Sequence, residues 1–247
     1  MLSLSLAHAA APFGGTLIAL DAGHGGTETG ATNTAGGVFI TEAEVNGDVV
    51  QALATKLRSL GAHVVVADRL STRKDRVNDA LAKCAAEDVN EDGTADNRKC
   101  DILLSVHHNG ITGDPTHDGT LVIYNERQDI PLATALHNAL TDSTIGLHLD
   151  DEGYLNGGYG ITVYGHLISA LTEAYYITND CEAELYLHSK DPATYPSIST
   201  ACTTAGYQLE DRIAHEVDLQ VRGLDVYFTG KSSGGGGGGG NGHGKKP

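Results

Sequence analysis

A short apolar run that stops abruptly in a glycine-rich turn constrains this chain more than any other stretch. Leu17-Ile18-Ala19-Leu20 leads into Asp21-Ala22-Gly23-His24-Gly25-Gly26. A few aliphatic residues closed off by glycines are the pattern of a buried strand. Glycines on both sides of His24 permit a sharp turn and leave the imidazole uncovered. Open α/β sheets place their ligands at the carboxyl ends of such strands. A lone histidine in a glycine turn is more often structural than functional, so its meaning rests on what else in the chain can join it.

The same alternation continues downstream. A helix is expected from near Thr41, a cap residue with Glu44 placed as in a capping box, to about Leu60. Val45, Val49, Leu53, Leu57 and Leu60 recur at helical spacing, and Gly61 is a fitting stop. Ala62–Ala67 reads as a strand, Asp75–Ala86 as a helix, and Asp101–Val106 as a strand ending in His107-His108-Asn109-Gly110. Gly119–Tyr124 and Leu171–Ile177 read as further strands, Ile130–Leu140 and residues 204–222 as helices. Thr27–Gly37 and Gly146–Gly165 read as loops. Strands alternating with helices predict an α/β fold: a single three-layer domain, with a mostly parallel twisted sheet and helices on both faces.

That domain is expected over residues 14–230. Residues 1–13 resemble the remnant of a secretory leader, a short apolar stretch with an Ala7-His8-Ala9 ending and no basic start. Residues 231–247 read as a glycine-rich flexible tail. With 16 basic against 32 acidic residues the net charge is −16, which disfavours nucleic acid and anionic membrane surfaces as partners. No apolar run is long enough for membrane insertion. A secreted or periplasmic monomer is the expectation.

The cysteines agree with export. Cys84 with Cys100, and Cys181 with Cys202, are the simplest of three pairings, and a four-cysteine zinc site lacks the usual Cys-x-x-Cys spacing. Between the first two lies an inserted polar loop, residues 87–99. Asp88, Asn90, Asp92 and Asp96 offer oxygens at alternate positions around Gly93, as calcium loops do. Lys99 stands where an EF-hand needs a bidentate Glu, so the alternative is a polar surface loop.

Four side chains at element ends carry the candidate chemistry: His24, Glu42, His107 and Glu173. Glu42 lies close to two helical turns before Val49 and so shares the buried face of its helix. Two histidines and one carboxylate are the protein ligands of a typical catalytic zinc, which acidifies water and polarises a carbonyl. Glu173 sits within an otherwise apolar strand, where an ionised group is expensive unless it has a role. It is either a general base and acid or an edge-strand glutamate facing solvent. Phosphate-loop and serine-hydrolase signatures are absent.

In this arrangement the chain resembles the zinc-dependent N-acetylmuramoyl-L-alanine amidases of the cell-division and sporulation type. Asp21-Ala22-Gly23-His24-Gly25-Gly26 is similar to the family's Asp-Pro-Gly-His-Gly-Gly, and Glu42-Ala43-Glu44-Val45-Asn46 to its Glu-x-x-x-Asn. Ser105-Val106-His107-His108-Asn109 is similar to Ser-Ile-His-Ala-Asn, and Glu173-Ala174-Tyr175-Tyr176-Ile177-Thr178-Asn179 to Glu-x-Gly-Phe-x-x-Asn. The resemblance implies zinc held by His24, Glu42 and His107, with Glu173 as base and acid. It implies peptidoglycan as partner, cut between the muramic acid lactyl group and L-alanine.

The departures define the open points. Ala174 and Tyr175 replace the Gly-Phe pair, which motivates a second reading, a zinc peptidase or deacylase acting on another acyl substrate. A third is a wall-binding module that has lost catalysis. His108 replaces a small residue; it is an alternative ligand or, in preference, with Asn109 a candidate to support the ligands from behind, or else a loop histidine.

Overall fold

The computed structural model describes residues 11–157 and 160–234. In chain order its elements begin with β1 (Leu17–Ala22), β2 (Thr32–Ala35), β3 (Val38–Thr41), α1 (Glu42–Ser59), β4 (His63–Val66) and α2 (Arg73–Ala86). They continue with β5 (Ile102–Asn109), β6 (Thr120–Tyr124), α3 (Ile130–Leu140), β7 (Asp151–Asn156) and β8 (Ser169–Tyr176). Three helices end the chain: α4 (Asp180–Lys190), α5 (Thr200–Thr204) and α6 (Arg212–Gly234).

Six strands make one sheet in the order β4-β1-β5-β8-β6-β7. Every pairing is parallel except β6 against β8. The period of two along β1 sorts its side chains to opposite faces. Ile18 and Leu20 pack with Val45, Val49 and Leu53 of α1, Leu136 of α3 and Leu224 of α6. Leu17 and Ala19 pack with Val77 and Ala80 of α2 on the other face. The fold is therefore the expected three-layer α/β domain. It brings the carboxyl ends of β1, β5 and β8 to one rim.

Local signals explain most boundaries. The Thr41 hydroxyl accepts from the Glu44 N–H at 3.2 Å and starts α1. Both expected disulfides are present, Cys84–Cys100 and Cys181–Cys202. No helix among the described residues is long and apolar enough to cross a membrane.

Other segments differ from the sequence reading. The presumed loop at Thr27–Gly37 contains β2, which pairs antiparallel with β3. Gly36-Gly37 forms the hairpin turn, a dipeptide signal that composition alone obscured. The loop expected at Gly146–Gly165 contains β7, an edge strand too exposed to show a hydrophobic alternation. Helix α4 shows little apolar periodicity, because it buries Glu182 beside Ala183, Leu185, Tyr186 and Leu187; its cap is Asn179, whose side chain accepts from the N–H groups of Cys181 and Glu182. The final helix begins at Arg212 rather than near 204, after the separate short α5. Phe13, placed in the leader by the sequence, is buried against Phe228 with ring centroids 6.0 Å apart. Residues 1–10 of that leader and 235–247 of the tail lie outside the described residues.

Candidate metal centre

Glu42 is the first residue of α1 and faces the sheet rim, as its spacing to Val49 required. One carboxylate oxygen reaches each histidine. Oε2 lies 3.1 Å from His24 Nε2, and Oε1 lies 2.9 Å from His107 Nδ1. The two imidazoles stand edge to face at 5.0 Å. One ligand atom from each of the three side chains falls within 4.8 Å of the others. Among the described residues this is the one group of three or more His, Cys, Asp or Glu side chains so gathered.

The surroundings favour an ionised Glu42. The Ala31 N–H donates to Oε2 at 3.0 Å and the Asn46 amide to Oε1 at 3.3 Å. Burial alone would raise its pKa, but hydrogen bonds and charge from His107 and His24 outweigh it and hold the carboxyl well below the usual range. A carboxylate with two imidazoles, nearly enclosed and facing one point, is the donor set of a divalent transition ion, and zinc fits it.

His24 adopts a left-handed φ of 61°. Such a backbone persists only when its neighbours over-determine it. Arg69 does so from the segment after β4. It donates to the Gly23, His24 and Ala43 carbonyls at 2.8, 3.1 and 2.7 Å. Beneath it, Arg76 of α2 pairs with buried Asp21 at 3.3 Å and donates to the Ala22 carbonyl at 3.2 Å. Ser105 donates to the other Asp21 oxygen at 2.7 Å. Neither arginine stood out in the sequence. The available signal was Asp21 itself, an ionisable side chain in a buried strand that needs a partner.

Glu173 comes from β8, in register with His107 of β5. Its Oε2 is buried and makes no hydrogen bond to the protein. Burial, then repulsion from Glu42 and Glu152, pushes its pKa well above the usual carboxylate range. It is no solvent-facing edge glutamate, because β8 lies between β5 and β6. His24, Glu42 and Glu173 together line a cleft of about 790 Å³, walled by Asn33 of the hairpin and by Asn109, Thr178 and Asp180.

His108 contributes to the cleft lining but is 1% exposed, its ring held between Asn46 and Glu216 in the core rather than in a loop. Asn109 lines the cleft, and its side chain accepts from the Gly110 N–H at 2.8 Å. Ala174 and Tyr175, the departures from the family motif, are wholly buried and line no part of the cleft. The calcium expectation finds no support. Asp88, Asn90, Asp92 and Asp96 accept from backbone N–H groups within their own loop and form no common ligand group.

The family model of N-acetylmuramoyl-L-alanine amidase matches residues 18–202, and the chain belongs to that family. Uncharacterized protein YqiI of Bacillus subtilis (strain 168) is 29% identical over 185 residues, 72% of this chain and 78% of its own length. Two solved amidases share the fold. AmiC2 of Nostoc punctiforme is 19% identical with a TM-score of 0.63, covering 88% of this chain and 99% of that one. The amidase from Clostridium difficile 630 is 18% identical with a TM-score of 0.64, covering 87% and 98%.

Proposed function

We propose that this protein is a zinc-dependent hydrolase of the amide between N-acetylmuramic acid and L-alanine in peptidoglycan. The observation that carries the reading is the Glu42 carboxylate spanning His24 and His107 beside the unpartnered Glu173 oxygen in one cleft. His24, Glu42 and His107 would hold the ion. When bound, zinc supplies an electrophile that polarises the scissile carbonyl and lowers the pKa of water.

The chain's own residues divide the remaining work. Glu173 removes a proton from the attacking water at its free oxygen. It then returns that proton to the departing L-alanine nitrogen, so that one carboxylate serves as base and then acid. Its pKa, raised chiefly by burial, makes the Glu173 carboxylate the stronger base toward the water. Arg69 and Arg76 hold the turn that presents His24. Two disulfides agree with a secreted or periplasmic location. The peptidase alternative loses its motive, because Ala174 and Tyr175 do not shape the cleft.

Metal analysis and digestion of purified sacculi test the reading together. The wild type is expected to carry about one zinc and to release intact stem peptides from uncut glycan. Glu42→Ala is expected to lose the metal, and Glu173→Ala to keep it without releasing peptide. Trimmed stems would instead indicate a peptidase, and bound but uncut sacculi a wall-binding module.

A further inference from the structure

Directly behind the three candidate ligands runs a buried line of hydrogen bonds that the proposed chemistry does not use. Gln220 of α6 donates to Glu216 Oε1 at 2.7 Å. Glu216 Oε2 meets His108 Nε2 at 3.0 Å, and His108 Nδ1 meets Asn46 Oδ1 at 2.7 Å. The Asn46 amide ends the line on the Gly23 carbonyl at 2.9 Å and on Glu42 Oε1 at 3.3 Å. Asn46, Glu216 and Gln220 are 0% exposed. Polar groups so enclosed are costly unless each finds its partner.

We infer that His108, held from α6 by Glu216, is a positioning residue that fixes the Asn46 carboxamide so that it steers the Glu42 carboxylate. The inference rests on the zinc reading of His24, Glu42 and His107. Donor and acceptor chemistry sets the direction. An amide oxygen only accepts, so the His108 ring donates from Nδ1 to Asn46 Oδ1. The Asn46 N–H groups then face two acceptors, the Gly23 carbonyl and Glu42. A reversed amide would press its oxygen against both.

Strand alternation makes this division possible. His107 and His108 are neighbours in β5, so their side chains leave on opposite faces. One reaches Glu42 at the rim, and the other enters the layer of α1 and α6. The Tyr175 ring packs on His108 at 4.3 Å and restricts its rotation. The His108 backbone N–H also points to Glu42 Oε1, at 3.4 Å. The motif this segment resembles carries a small residue at the His108 position. The His108 link is therefore a departure of this chain, joined to the Asn46 and Glu42 of the shared pattern.

The test compares full-length wild type with His108→Leu and Glu216→Gln by zinc affinity in chelator competition, and by the visible spectrum of the cobalt-substituted protein. Partners that orient metal ligands are typically worth 10- to 100-fold in metal affinity. His108→Leu is expected to weaken zinc about 10-fold or more and to shift the cobalt bands, which mere loss of core packing would not do. Glu216→Gln keeps an acceptor facing His108 and is expected to stay within about threefold of wild type. Should His108→Leu fail to fold, His108→Met fills the same core space with no N–H donor for Asn46 and is expected to show the same loss. Unchanged zinc affinity and cobalt spectrum in the folded His108 variant overturn the inference. A wild type that takes up no zinc overturns the metal reading itself.

Discussion

Gly30 lies so close to Glu42 that a Cβ at this position would stand 2.3 Å from Glu42 Oε2. Its φ of 66° is also in the left-handed region, where a side chain costs about 1–2 kcal/mol. Gly30→Ala should therefore displace the Glu42 carboxylate as well as strain the loop. Reduced zinc content in the purified variant, measured by elemental analysis against wild type, is the expected outcome. Full occupancy would show that Glu42 can move without losing its function.

Glu173→Gln preserves the shape of the side chain and removes its basicity. With the general base gone, kcat on peptidoglycan should fall about 10²- to 10⁴-fold while zinc content stays at the wild-type level. A rise in KM alone, with kcat intact, would assign Glu173 to binding.

Arg76 is 6% exposed and pairs with Asp21, which is wholly buried. Removing one member of such a pair strands the other charge and typically costs about 3–5 kcal/mol. Arg76→Leu should lower the free energy of urea unfolding by that order. Double substitution with Asp21→Asn should recover part of the loss, because the stranded charge is gone.

The disulfide Cys84–Cys100 closes a loop at the amino end of β5, at the opposite end of that strand from His107. A loop with a sequence separation of 16 contributes about 3 kcal/mol through the unfolded chain. Replacing both cysteines by alanine should lower thermal stability while leaving zinc content and kcat at low temperature unchanged.

Glu182 tests the pH dependence of stability. Burial pushes its carboxyl up to about 8 against the pull of Arg212, and Asp118 adds repulsion. Because the folded value lies above the ordinary 4.5, the stability this group contributes is complete below pH 4.5 and is lost as pH rises through about 8. The melting temperature of wild type should fall between pH 5 and pH 9 more steeply than that of Glu182→Gln. Parallel curves would mean that Arg212 keeps Glu182 ionised throughout.

The sequence by itself determined the layers and picked out the three side chains, His24, Glu42 and His107, that gather at the rim. Aliphatic runs closed by glycine fixed β1 and β5, and helical spacing aimed Glu42 at the sheet. Both are local properties of consecutive residues, so they are legible without coordinates. The tertiary structure decided which neighbours meet. Arg69 and Arg76 bind carbonyls of the His24 turn from 45 and 52 residues away, and Glu216 reaches His108 from 108 residues away. No periodicity encodes such contacts, because they depend on how β4, α2 and α6 pack around β1 and β5. The same dependence hid the hairpin, the exposed edge strand β7 and the burial of His108, whose environments are set by distant segments rather than by their own residues.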